Sequence, residues 1–286
     1  MGSWLSKLMK LRRNSIEMIP IFNQAEFRAT YRYQNFALPD SIMFYMAKNP
    51  RSSKVYQKIV KSCKYFFIKN PILVIHQLNC NSIYQVHESV NRTKLCFIGI
   101  TSKIWISQNF QNFVSDFVLD ILPYEPLHFI SFYQSDAKRY QLIGQRVSAI
   151  NFFQSFASKC EEILLCNSTI KNDNGSILSI QAIISALPKL KIFRCVHSSK
   201  MINYKTVEEL LCIPHFYSLQ YFHLTNIPDT FDIGLFYEYI KINKKTKIYL
   251  HYSNQISQGY KYRLQMIAKD IIKRTKSQHS FKVPMI

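Results

Sequence analysis

The sequence predicts an α/β protein, with a short helical module near the N-terminus followed by a solenoid of strand–helix units. Three observations carry that reading. A six-residue apolar pattern, with its apolar positions at one, four and six, recurs about every 30 residues from Leu95 onward. Apolar stripes of helical period lie between several of its copies. Ahead of them, Leu38 to Ile75 holds two brief apolar-periodic stretches divided by Lys48-Asn-Pro-Arg-Ser-Ser53, too short to close a core alone.

Residues 1–37 read as a basic amphipathic leader, mixing Trp4, Leu5, Leu8, Met9 and Leu11 with Lys7, Lys10, Arg12 and Arg13. Its start, Met1-Gly2-Ser3-Trp4-Leu5-Ser6, fits an N-acylation pattern at Gly2, with the basic run as a second membrane signal. Residues 38–78 form the helical module. Pro39 suits a first helical turn, where its missing N–H has no intrahelical partner. Ile42, Met43 and Met46 make one stripe, and Asn49-Pro50 ends that helix. Ser52 or Ser53 caps a second helix, on which Val55, Tyr56, Ile59, Val60, Cys63 and Phe66 or Phe67 recur every three or four residues until Asn70-Pro71.

Residues 79–275 carry the repeated pattern, and 276–286 a tail. The copies are Leu95-x-x-Ile98-x-Ile100, Leu127-x-x-Ile130-x-Phe132, Cys160-x-x-Ile163-x-Leu165, Leu190-x-x-Phe193-x-Cys195, Leu219-x-x-Phe222-x-Leu224 and the weaker Lys245-x-x-Ile248-x-Leu250. Each reads as a strand. Ile177, Ile180, Ile183, Ile184 and Leu187 make a helical stripe, Thr206 with Glu209 a capping box, and Ile233–Ile240 a further helix. A strand and a helix repeating at this period make a leucine-rich-repeat-like solenoid, in which each unit needs neighbours to cover its apolar face. The repeat's usual Asn, three residues after the last apolar position, is absent; Asn167 and Asn226 fall two after it.

Composition narrows function. With 48% hydrophobic residues, a sizeable core is expected. The formal charge is +20, and from Lys241 onward eleven Lys or Arg face one acid, Asp270. The excess is either a solvated surface or a site for an anionic partner. Seven cysteines without a CxxC, and no signal peptide or long apolar run, point to free thiols in the cytoplasm or nucleus and to no transmembrane segment. Six glycines leave few loops able to cradle phosphate, and no nucleotide-binding, serine-hydrolase or zinc-protease motif occurs. Cys160, Cys166, Cys195 and Cys212 read as small hydrophobes rather than a metal site. No catalytic residue, metal or cofactor is expected.

The segment from Leu38-Pro39 through Ile42 and Met46 to Ser62-Cys63-Lys64-Tyr65-Phe66 resembles the F-box family, in particular divergent nematode-type F-box proteins with a repeat-like C-terminal region. Ser62 stands where the family usually has Val, and Phe66 where Trp is common. The resemblance covers about forty residues closely. It implies a non-catalytic subunit of an SCF-type (Skp–cullin–F-box) ubiquitin ligase, binding the Skp adaptor, and through it the cullin scaffold, by an apolar interface. The candidate adaptor-binding residues are Leu38, Pro39, Ile42, Met43, Met46, Val55, Ile59, Val60, Cys63 and Phe66, some of which must instead hold the helices together. In the solenoid the outward strand side chains Lys191, Arg194, Gln220, His223, Lys247, Tyr249 and His251 form the candidate target face, suited to an acidic or phosphorylated segment. The alternatives are a basic repeat protein on nucleic acid or anionic membrane, and a scaffold outside ubiquitination.

Overall fold

The computed structural model describes residues 28–82, 85–88, 93–95, 102–113, 132–144, 146–149 and 159–277. Gly2, most of the leader, residues 278–286 of the tail, and the apolar copies at 96–100 and 127–131 lie outside the described residues. The fold is α/β with mostly parallel strands, divided into two compact units: residues 1–111 with 126–135, and 112–125 with 136–286. The helical module therefore shares its unit with strands, where the sequence places a boundary after residue 78.

In the first unit, α1 (Asp40–Lys48) starts after Pro39, whose φ of −54° suits a helix entrance. The Ser52 hydroxyl caps α2 (Ser53–Ser62) by accepting from the Val55 N–H. The sequence predicts that this helix runs on to Phe66 or Phe67; instead it breaks at Cys63, whose extended backbone (φ −153°, ψ 130°) opens α3 (Lys64–Lys69). The Cys63 sulfur accepts from the Tyr65 N–H, standing in for a cap. The break turns the aromatic run Tyr65, Phe66 and Phe67 inward, and all three are buried. One cluster joins Met43, Ala47, Cys63, Tyr65 and Phe66, with Ile59 and Val60 packed on it. A second joins Tyr56 of α2 to Ile72 and Trp105. These belong to β1 (Ile72–Ser82) and β4 (Lys103–Phe113), which are neighbours; β2 (Gln85–Glu88) and β3 (Thr93–Leu95) extend the β1 side antiparallel, and β5 (Phe132–Ser135) runs parallel to β4.

In the second unit β6 (Arg139–Ile143), β8 (Glu162–Cys166), β10 (Ile192–Val196), β11 (Tyr221–Ile227) and β12 (Lys247–Tyr252) lie side by side, all parallel and in sequence order. The short pair β7 (Arg146–Ser148) and β9 (Thr169–Lys171) is also parallel. Helices α4 (Ile180–Ser185), α5 (Thr206–Leu211) and α6 (Ile233–Ile242) connect successive strands and pack α4 on α5 and α5 on α6. A last helix, α7 (Gln258–Ser277), follows β12.

The apolar pattern maps onto this ladder with two corrections. The strand beside β8 is built on Ala137, Tyr140 and Leu142, all buried, rather than on Leu127, Ile130 and Phe132. At the other end Lys245 is exposed, and the next residue, Thr246, takes the buried position by donating its hydroxyl hydrogen to the Leu219 carbonyl (2.7 Å). Between them the pattern holds: Cys160, Ile163, Leu165, Leu190, Phe193, Cys195, Leu219, Phe222 and Leu224 are buried. The capping box does not form. Thr206 accepts from the Asn203 N–H, and Glu209 accepts from the Gln181 amide of α4.

Four strands carry the same backbone device at or near their C-terminal ends. Gly144, Asn167, His197 and Asn226 occupy equivalent register positions, and all have positive φ, at 68°, 49°, 64° and 57°. Left-handed backbone costs a residue with a Cβ of order 1 kcal/mol, least for Asn, so the recurrence marks a corner the fold requires. This places Asn167 and Asn226, two residues past the last apolar position, where Asn is favoured over other side chains. Ser168 and Ser198, next in line, are buried and donate to the Cys166 and Thr225 carbonyls at 2.9 and 2.8 Å.

Candidate partner-binding surfaces

On the helical module the ten candidate residues separate into two sets. Met43, Cys63 and Phe66 are buried in the module's own core, and Ile59 and Val60 are half-buried against it. Leu38, Pro39, Ile42, Met46 and Val55 are exposed, with Ile42 and Val55 at 46% and 45%. Helical geometry explains the division on α1. Met43 and Ala47 are four residues apart and face inward; Ile42 and Met46, also four apart, form a stripe about a quarter turn away, with exposed Leu38 just ahead of the helix. The sequence reading missed Phe44 and Tyr45, which are also exposed, the former under the Lys48 ammonium. Their signal was present, because α1 has apolar residues on more than one face; among the described helices α3 is the one that packs most closely on it.

Burying a side chain of this size is worth about 1.5–3 kcal/mol. An apolar stripe left open on a module with a completed core is thus a large unspent driving force, and single exposed hydrophobes do not produce one.

The strand face of the second unit presents the other seven candidates. Arg194, His223 and Tyr249 are directly paired across β10, β11 and β12. Lys247 pairs with Tyr221, while Lys191 and Gln220 sit at the strand entrances, where the Gln220 N–H donates to the Lys191 carbonyl. Tyr221 and Tyr249 stack with centroids 5.1 Å apart and planes at 29°, and the Arg194 guanidinium lies 4.9 Å over Tyr221. His223 and His251 are 5.7 Å apart. Burial, then His251 and Arg194, hold His223 below its usual range, so it is neutral at pH 7.

This face is less cationic than its sequence implies. Glu161 binds Lys138 and Lys191, each at 2.6 Å, and Glu162 bridges Arg139 (3.3 Å) and Arg194 (3.2 Å). Hydrogen bonds from Lys138 and then Lys191 hold the Glu161 carboxyl down to about 2. The two glutamates therefore offset half the charge of these four cations at the β8–β10 side, while the β11–β12 side carries tyrosines and imidazoles together with the exposed Lys247.

Cys160 and Cys195 are buried, and burial pushes both thiols up to about 12, which removes them as nucleophiles at neutral pH. Among the described residues no group of three or more His, Cys, Asp or Glu is placed to hold a metal ion, and no helix is long and apolar enough to cross a membrane. No protein-family model matches this chain, and a search of the curated proteins gives no match.

Proposed function

We propose that this chain is a substrate-recognition subunit of an SCF-type ubiquitin ligase. Its helical module docks the Skp adaptor, and the strand face of its leucine-rich-repeat-like solenoid receives the target. The open stripe of Leu38, Ile42 and Met46, with Val55, carries the reading: it belongs to a module whose core is already closed by other residues. An adaptor groove lined with apolar side chains suits that stripe. Five parallel strands in sequence order, with helices packed in the same order, support the repeat architecture that a target-holding partner of the module requires.

The test is capture of a purified Skp-type adaptor by the full chain. Ile42→Glu puts a charge into the apolar interface while leaving the core alone, and adaptor affinity is expected to fall at least about 100-fold with thermal stability unchanged. Ile59→Glu is not equivalent, because Ile59 packs on both core clusters and its loss unfolds the unit. Undiminished capture by a stably folded Ile42→Glu protein sinks the proposal.

One observation favours a second reading. Helix α7 exposes Lys261, Arg263, Lys269 and Lys273 together with Tyr262 and Met266. Contact with an anionic membrane or nucleic acid through this helix predicts binding that collapses between 0.05 and about 0.2 M salt. The adaptor interface, being apolar, is insensitive to that change.

A further inference from the structure

Beyond the strands, at the C-terminal ends of β11 and β12, the second unit has an open cleft of about 440 Å³. We propose that this cleft receives an arginine side chain from a protein partner, with Asp229 as its counter-ion. The lining argues this by elimination. Among the described residues no Lys, Arg or His lines it, in a chain of charge +20, so it is not built for a phosphate or carboxylate. No aromatic ring among the described residues lines it, so a base or sugar ring has no platform there to stack on.

What the cleft does offer is hydrogen-bond acceptors and a short apolar wall. The Asp229 carboxylate is exposed and has no hydrogen bond or ion pair among the described residues. The Asn226 amide donates through Nδ2 to the Ser199 hydroxyl (3.3 Å), which leaves its Oδ1 free to accept. Asn254 and Gln255 add two more side-chain carbonyls, and the Ser253 hydroxyl is already engaged by the Gln255 N–H (3.2 Å). Pro228 and Ile256 supply apolar surface.

A guanidinium matches this set. It carries five N–H donors and no acceptor, pairs with a carboxylate through two parallel hydrogen bonds, and has an apolar stem to lie against Pro228 and Ile256. The general positive field of the chain does not forbid a cation here, because charges more than about 8 Å away are screened at physiological salt. Anchoring depends on the corner at Asn226, whose left-handed backbone (φ 57°) holds this part of the lining. The inference rests on the ligase reading only in calling the partner a target; the pocket chemistry stands without it.

The probe is a fluorescein-labelled Gly-Ser-Gly-Arg-Gly-Ser-Gly peptide, titrated with the full chain at 0.15 M salt and followed by polarisation. Matched peptides carry citrulline, Lys or Glu in place of Arg. Citrulline keeps the shape and loses the charge, so the Arg peptide is expected to bind at least about tenfold tighter than the citrulline peptide, with Lys between them. Asp229→Asn is expected to erase that preference, whereas Asp173→Asn, which removes an exposed acid outside the cleft, leaves it intact. Equal binding of the Arg and citrulline peptides, no binding of the Arg peptide at several millimolar, or equal losses in the two Asp variants overturns the proposal. Adaptor capture by Asp229→Asn, measured in parallel, separates failure of this pocket from failure of the ligase reading.

Discussion

Both units of this chain bury aromatic-rich cores, but they differ in what they leave outside. In the helical module, α1 sends Met43 and Ala47 inward and shows Ile42, Phe44, Tyr45 and Met46 to solvent, as Leu38 is just before it. In the parallel-strand unit Phe193, Phe222, Ile163 and Leu224 are fully buried, and the outward rows mix ion pairs, tyrosines and histidines with the half-buried Leu164 and Ile192. A strand alternates its two faces residue by residue, so pattern and burial agree. A short helix that is apolar all round has no such alternation, and packing alone decides which face closes. The difference teaches that alternation closes one face of each strand, whereas α1 closes only the face that its neighbours happen to cover and leaves other apolar side chains exposed.

The largest expected effect tests the strand unit's side of that contrast. Phe222 stacks on Phe193 (5.8 Å, 21°) and meets Phe216 and Phe236. Phe222→Ala is expected to cost about 3–5 kcal/mol in urea denaturation, while Ile42→Ala changes stability by less than about 0.5 kcal/mol. Comparable costs for the two would mean that the Ile42 side chain is not free on the surface.

A smaller effect tests how closed the module is. The buried Tyr56 hydroxyl donates to the Asn70 carbonyl and accepts from the Ile72 N–H at 3.2 Å, tying α2 to the start of β1. Tyr56→Phe leaves both backbone groups buried and unpaired, and a loss of about 1–3 kcal/mol is expected from the unfolding midpoint. A neutral substitution would show that water reaches this site and that the module's core is open.

The smallest effect concerns the ion-paired side of the strand face. The Glu161 carboxyl lies well below the ordinary carboxylate range, so its pairs with Lys138 and Lys191 contribute stability above about pH 4.5 that is lost as pH falls toward about 2. Because the pairs are solvent-exposed, the effect is modest. The gap between wild type and Glu161→Gln in urea midpoint should shrink through that window. A gap independent of pH would assign it to packing rather than charge.

Much of the strand unit was legible from sequence because one residue type per position sufficed. Leu190, Phe193 and Cys195 declare a strand whatever surrounds them. The first strand of the parallel row was missed because Ala137, Tyr140 and Leu142 fill the same three positions with a small residue and a polar-tipped aromatic. Lys245 misled for the opposite reason: the spacing fits, but Thr246 holds the buried place through a hydrogen bond, which no apolar count detects. On the outward strand face Lys191 and Arg194 were visible, and so were Glu161 and Glu162, but pairing depends on strand register, which sets residues some 30 positions apart side by side. In the module, Ile42 and Met43 are adjacent and chemically alike. Which one stays outside was settled by α3, whose start at Cys63 is a backbone event without a strong sequence marker.

The left-handed corners also govern how the chain tolerates changes in length. Gly144, Asn167, His197 and Asn226 reset the backbone at one place in the register, although the separations between them are unequal, at 23, 30 and 29 residues. Register is fixed at the strand and its corner, so a difference in length is taken up after the corner, as in the turn held by Asn172, Asn174 and Ser176. Residues added or removed there leave the paired rows of the next strand where they were. The chain thus keeps a fixed ruler along its strands and slack after each corner, so its outer connections can lengthen or shorten while the outward row of strand side chains stays in step.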